Sequence, residues 1–182
     1  MALAGHLILV SALCGVLLPS AFGQVEEYTV KAAFLYNFAK FVDWPAQAFR
    51  SPVDPISICV LGQNPFGHSL EDVVRGQVVH GRSFRVRQVP EIAPNGACQI
   101  LFVGANERRR FLSEAANLKG ASTLTVGESR GFAAEGGMVN FKLEDGKVRF
   151  EINLEAAEQA QIHISSKLLS LADLVPRSAR SR

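Results

Sequence analysis

The chain is poor in the residues from which catalytic and metal centres are built: four His, three Cys, two Tyr, two Met and one Trp among 182 residues. His68, His80 and His163 are scattered, and no pair has the spacing of a zinc-binding helix or finger. Nothing in the sequence assembles a Ser–His–Asp set. Asp43, Asp145 and the glutamates fall at expected helix ends, turns and wet faces, without a paired arrangement. A balance of 19 basic against 17 acidic residues leaves a net charge of +2, which gives no case for a nucleic-acid partner. Repeats, low-complexity tracts and interdomain linkers are also missing. No metal, cofactor or catalytic residue is therefore expected.

One long apolar run is present. Leu7–Leu18 has the length of a signal-peptide core and is too short to span a bilayer. Ala21 and Gly23 supply small residues at the −3 and −1 positions of a cleavage before Gln24. The stretch before the run holds His6 but no Lys or Arg, so an uncleaved anchor is the alternative. A lipoprotein is excluded because Cys14 follows Leu13 and sits in mid-run. The expected organisation is a signal peptide over 1–23, one α/β domain over 24–176, and a basic disordered tail over 177–182. The expected compartment is the periplasm. Cys14 would leave with the signal, and Cys59 and Cys98 would remain. An even pair in an oxidising compartment favours a disulfide over two separate buried thiols.

Val30, Phe34, Phe38 and Phe41 recur at helical spacing and predict a helix over 26–43, stopped by Trp44 and Pro45. Ile56–Leu61 reads as a strand, and Pro65 opens a helix expected over 66–75. Phe84–Val89 alternates with period two, Ile100–Val103 is a short apolar run, and a helix over 106–118 leads to a strand at Ser122–Val126. Val139, Phe141 and Leu143, then Val148, Phe150 and Ile152, alternate around Asp145-Gly146, the signal of a type I′ hairpin. That turn sets Glu144 opposite Lys147 and Lys142 opposite Arg149, with Glu144 and Glu151 able to offset the like pair diagonally. Two short helices are expected near 154–160 and 166–174. Ser165 caps the second, and Leu168, Leu171, Ala172 and Val175 form its buried stripe. The alternation predicts a layered α/β domain with a mostly parallel sheet flanked by helices, plus a C-terminal antiparallel hairpin.

Two segments invite a functional reading. Gly62 to Ser69 has the Gly-x-x-x-x-Gly spacing of a phosphate loop, but His68 stands where a fixed lysine cation is needed. What survives is a strand-to-helix turn whose amides could hold a small anion. The second segment is aromatic: Tyr28, Phe34, Tyr36, Phe38, Phe41, Trp44 and Phe49 include every Tyr and the only Trp. One helix face buries three or four large rings, so either the helix is buried all round or the surplus faces a partner.

Together these segments resemble the YfiR-like family of bacterial periplasmic proteins. The likeness is carried by Lys31–Pro45, Ile58–Gly62 with Pro65–Gly67, Cys98–Phe102, Leu124–Val126, Gly136–Met138, Phe150–Leu154 and Ile164–Leu169. It runs from about residue 26 to 175, and its first motif is highly specific. The resemblance implies an α/β dimer without a catalytic site that restrains the periplasmic part of a membrane diguanylate cyclase. It also implies that a YfiB-like outer-membrane lipoprotein can sequester the protein. Some relatives are linked to sensor kinases, which makes a kinase the alternative partner. Cys59 and Cys98 match the family's long-range disulfide. A second, short-range pair found in some members is missing, with Ala133 and Asn140 in that region.

The partner surface is expected around Tyr36, Lys40, Phe41 and Trp44, joined by Lys167 of the terminal helix. The competing function is a periplasmic small-ligand receptor for a sensor kinase, using a sheet edge or the Gly62–Ser69 turn.

Overall fold

Three apolar runs, Ile56–Leu61, Ile100–Val103 and Leu124–Gly127, are buried along their whole length, as strands covered on both faces must be. The computed structural model describes residues 21–93 and 97–176. Residues 1–20 of the expected signal peptide and the expected tail 177–182 lie outside the described residues.

In chain order the elements are α1 (Ala21–Phe41), β1 (Val42–Asp43), β2 (Ile56–Leu61), α2 (Ser69–Val74), β3 (Phe84–Val89), β4 (Ile100–Val103), α3 (Arg108–Glu114), β5 (Leu124–Gly127), β6 (Val139–Glu144), β7 (Lys147–Ile152), α4 (Leu154–Gln159), β8 (His163–Ile164), α5 (Ser166–Leu169) and β9 (Asp173–Leu174). Seven strands form one sheet in the order β3-β2-β4-β5-β6-β7-β9. Strands β3 to β6 run parallel, β7 returns antiparallel, and β9 lies parallel to β7. The expected class, mostly parallel with a C-terminal hairpin, is the observed one.

The strand order reverses between β2 and β4, so successive crossovers lie on opposite faces. On one face α1, α2, α4 and α5 bury Ile56, Ile58, Val60, Ile100, Phe102, Leu124 and Val126. On the other, Phe111 of α3 and Phe132 pack over Cys59, Leu61, Leu101 and Val103. The hairpin pairs Val139 with Ile152, Phe141 with Phe150 and Leu143 with Val148, as its turn predicts. Asp145 at φ 50° and Gly146 at φ 72° are the two left-handed residues that a type I′ turn requires.

Several boundaries depart from the sequence expectation for physical reasons. α1 starts at Ala21, before the expected 26, and ends at Phe41 because Val42 and Asp43 pair with Ile164 and His163. α2 starts at Ser69; Pro65 opens a turn in which the Phe66 N–H donates to Asn64 Oδ1 at 3.0 Å. The expected 106–118 helix is α only over Arg108–Glu114, with 3₁₀ turns at Ala105–Glu107 and Ala115–Leu118. The expected 166–174 helix stops at Leu169. Ser165 does cap it, accepting from the Leu168 N–H at 3.3 Å, but the chain then pairs as β9 and leaves Leu171 two-thirds exposed. Leu171 therefore drops out of the buried stripe. Lys142 is offset by Glu144 and by Asp173 of β9, each at 2.8 Å, and not by Glu151.

Candidate functional site

The aromatic surplus of α1 resolves ring by ring. Phe38 is fully buried and, with Phe34, meets Phe141 and Phe150 of the hairpin at centroid distances of 5.3–5.9 Å. Tyr28 stands edge-on to Phe66 at 5.4 Å, and Tyr36 edge-on to Phe84 at 5.6 Å. These rings belong to the core or its margin. What remains on the outside is the exit of the helix.

There the half-buried Phe41 ring lies under two ammonium groups, Lys40 Nζ at 6.0 Å and Lys167 Nζ at 5.3 Å from its centroid. Lys40 Nζ is also 5.4 Å from the Tyr36 centroid, and the Tyr36 hydroxyl donates to Gln77 Oε1 at 3.0 Å. Both lysines are exposed. The structure thus brings together Tyr36, Lys40, Phe41 and Lys167. Trp44 packs against the same core, and its buried indole N–H has no acceptor among the described residues. β1 and β8, with the Ser165 N–H donating to the Phe41 carbonyl at 2.9 Å, hold α5 beside the end of α1.

The crevice beyond the carboxyl ends of β2 and β4 is where doubly wound sheets usually take ligands. At that edge Glu107 stands against Gly62. The place a Cβ would take on Gly62 is occupied by the Glu107 carboxylate, and Gly62, at φ 71°, is the residue that tolerates this turn. In the Gly62–Ser69 turn two amides serve the turn itself: the Phe66 N–H donates to Asn64 Oδ1 and the Ser69 N–H to the Phe66 carbonyl, each at 3.0 Å. α2 is only six residues long. The anion reading of this turn gains no support from these contacts.

Beside Glu107 lies a charged cluster that sequence reasoning missed. Lys31 is 5% exposed and pairs with Glu27 and with Glu128, the latter at 2.6 Å. Glu128 also accepts from the Tyr28 hydroxyl at 3.0 Å and the Ala105 N–H at 3.2 Å. Burial, then the Glu128 charge and its hydrogen bond, hold the Tyr28 phenol well above its ordinary range, so it stays a donor. Lys31 opens the specific motif of the first helix, but its partner lies 97 residues away and no local spacing reveals it.

Cys59 and Cys98 are joined, with Cα atoms 5.9 Å apart. The bond ties the buried centre of β2 to the segment entering β4. Of the second pair's region, Ala133 and Asn140 are both buried, and Asn140 Nδ2 donates to Glu151 at 3.1 Å. Among the described residues no helix is long and apolar enough to cross a membrane, and no three His, Cys, Asp or Glu side chains are grouped to hold a metal.

The protein is a doubly wound α/β domain, stapled once, with lysine-flanked rings at one helix exit. A family model described as YfiR/HmsC-like matches residues 28–173, and the chain belongs to that family. The family is one of periplasmic regulatory proteins rather than enzymes, and it is associated with diguanylate cyclase signalling. No curated protein matches the chain.

Proposed function

We propose that the protein is a periplasmic regulator that restrains a membrane-bound diguanylate cyclase, or a related sensor enzyme, by direct contact with its periplasmic part. The contact surface in this reading is Tyr36, Lys40, Phe41 and Trp44 with Lys167. The observation that carries it is the Phe41 ring, half-buried and flanked by two exposed lysines from elements distant in sequence. Such a surface offers apolar area and positive charge together, which suits an interface that is wet before binding. In the same reading the protein acts as a homodimer after removal of residues 1–23, and a YfiB-like outer-membrane lipoprotein relieves the restraint by sequestering it. Its output is a lower level of cyclic di-GMP.

The test pairs a cellular and a molecular measurement. Deleting the gene should raise cyclic di-GMP, and restoring the chain should lower it. Lys40→Ala and Lys167→Ala touch only exposed cations, so their melting curves should match the parent while partner capture weakens. Trp44→Ala and Tyr36→Ala should each cost roughly 2 kcal/mol of binding. If they instead lose about 3–5 kcal/mol of stability, as core rings do, while the folded fraction binds with unchanged affinity, the interface reading is eliminated.

A further inference from the structure

The second face of the sheet is covered unevenly. Phe111 and Phe132 protect the later positions of β2 and β4, whereas Ser57, Arg85 of β3 and Gln99 lie outside that cover. There a cavity of about 200 Å³ opens, lined by Arg50, Arg85 and Arg87 together with Asp54, Ser57 and Gln99.

Three guanidinium groups around one small cavity repel one another, and the protein supplies them with little compensation. Asp54 is the only acid in the lining, and its carboxylate already accepts from the Arg50 N–H at 2.9 Å, the Ser51 N–H at 3.1 Å and the Ser51 hydroxyl at 2.9 Å. Gln99 is used at both ends: its Oε1 accepts from the Ser57 N–H at 2.8 Å, and its Nε2 donates to the Ala48 carbonyl at 2.6 Å. That clamp fixes the segment bearing Arg50 against the strands. Arg87 Nη2 donates to the Ala97 carbonyl at 2.7 Å, yet the Arg87 Nε–H is buried with no acceptor among the described residues.

The Arg50 and Arg85 guanidinium groups find no acceptor among the described residues. Residues 94–96, which border the cavity in sequence, are Pro, Asn and Gly and carry no carboxylate. Glu91 lines the adjoining apolar cleft on the other side of Arg87. Four other arginines are matched: Arg75 by Asp72, Arg108 by Glu135, Arg110 by Glu107, and Arg82 by two carbonyls and the Phe49 ring.

Guanidinium forks bind planar oxyanions in two-point contacts, and a cavity smaller than a drug-sized pocket selects a compact one. We propose that this cavity is a binding site for a small, multiply charged oxyanion, a free di- or tricarboxylate or a phosphate, held by Arg50, Arg85 and Arg87. The site is independent of the proposed regulatory contact and uses none of its residues.

Calorimetric titration of the whole protein at low salt, with citrate and with inorganic phosphate, tests it. The expected result is saturable binding of one anion per chain, with a dissociation constant below about 1 mM. Binding of citrate alone assigns a carboxylate ligand, and binding of phosphate alone assigns a phosphate; either supports the site. Because Arg50 and Arg85 are exposed, Arg50→Ala and Arg85→Ala should melt like the parent in the absence of anion. Each should weaken binding by about tenfold or more, with Arg85→Lys losing less. Arg109→Ala, which removes an exposed arginine of α3, should change nothing. In parallel the Arg87 Nε–H resonance should shift on titration. Absence of saturable binding by both anions overturns the proposal. So does equal binding by Arg85→Ala and the parent, or an equal loss in Arg109→Ala.

Discussion

Replacing Lys31 by Met keeps most of the side chain's volume and removes only its charge, which makes it a direct probe of the cluster beneath the first helix. The ammonium group has two carboxylate partners of unequal weight. Glu27 is about a quarter exposed, so water replaces much of what it loses; Glu128 is only 8% exposed and would be left charged in place. Removing one partner of a buried pair typically costs about 3–5 kcal/mol. Glu128 would keep its bonds from the Tyr28 hydroxyl and the Ala105 N–H, which places the expected loss near the low end, about 3 kcal/mol. For a domain of this length that is a fall of roughly 6–12 °C in melting temperature.

Urea unfolding followed by the fluorescence of Trp44, the only tryptophan, with circular dichroism beside it, measures the difference. Glu128→Gln should cost less, because Lys31 keeps Glu27. The double variant Lys31→Met, Glu128→Gln should regain at least half of the single Lys31→Met loss, since Gln still accepts from Tyr28 and Ala105 but leaves no bare charge. A single-variant loss under about 1 kcal/mol, or strictly additive losses in the double variant, would refute a buried, coupled pair.

Other expectations follow from features already described. Thiol titration of the unreduced, denatured protein beginning at Gln24 should find neither Cys59 nor Cys98 free, and replacing both by Ala should cost about 4 kcal/mol for the 39-residue separation in the chain-entropy model. The Asp54 carboxyl is held below its ordinary range by the Ser51 hydroxyl first, then by the Arg50 and Ser51 N–H groups and the Arg82 charge. A depressed folded value stabilises above the ordinary range near pH 4 and is lost as pH falls through the folded value. Asp54→Asn should therefore melt lower than the parent at pH 7 and converge with it as the pH falls through the folded Asp54 value; a gap that persists in strong acid counts against the assignment. A Cβ on Gly137 would overlap the Phe132 ring, so Gly137→Ala should destabilise by about 1–3 kcal/mol, read by thermal melting, whereas Gly146→Ala meets no neighbouring atom and tests backbone strain alone.

The parts of this fold that were legible in the sequence are those fixed by short-range chemistry. Asp145-Gly146 dictates a turn whose hand and length set the register of all six hairpin pairs. The unbroken apolar runs of β2 and β4 announce strands covered on both sides. Pairing of Cys59 with Cys98 was open on composition and spacing, and was implied only by likeness to a family. What escaped was set by contacts at long range. β1, β8 and β9 are two residues each, too short for any periodicity, and exist because a distant strand offers free backbone groups. β9 also overrides the apolar stripe that extended the last helix to residue 174. Of the expected group Tyr36, Lys40, Phe41, Trp44 and Lys167, Lys40 lies over the Tyr36 and Phe41 rings and Lys167 over Phe41. The burial of Lys31 depends on Glu128, which no pattern local to the helix discloses. The arginine cavity likewise draws on three separate stretches of chain.

The two-residue ribbon of β1 and β8 has a consequence for the order of events in the life of the molecule. Phe41 and Lys167 come from opposite ends of the domain, and the ribbon is what sets them side by side. Between them in sequence lie β2 to β7, so β8 is made only after all of these. A chain that emerges first residue first and folds as it goes therefore displays Lys40 and Phe41 early, without Lys167 or the frame that aims them. If this surface engages a partner, recognition doubles as inspection: a truncated or half-folded chain fails to present it. A regulator built this way would engage its target only after its own folding is complete.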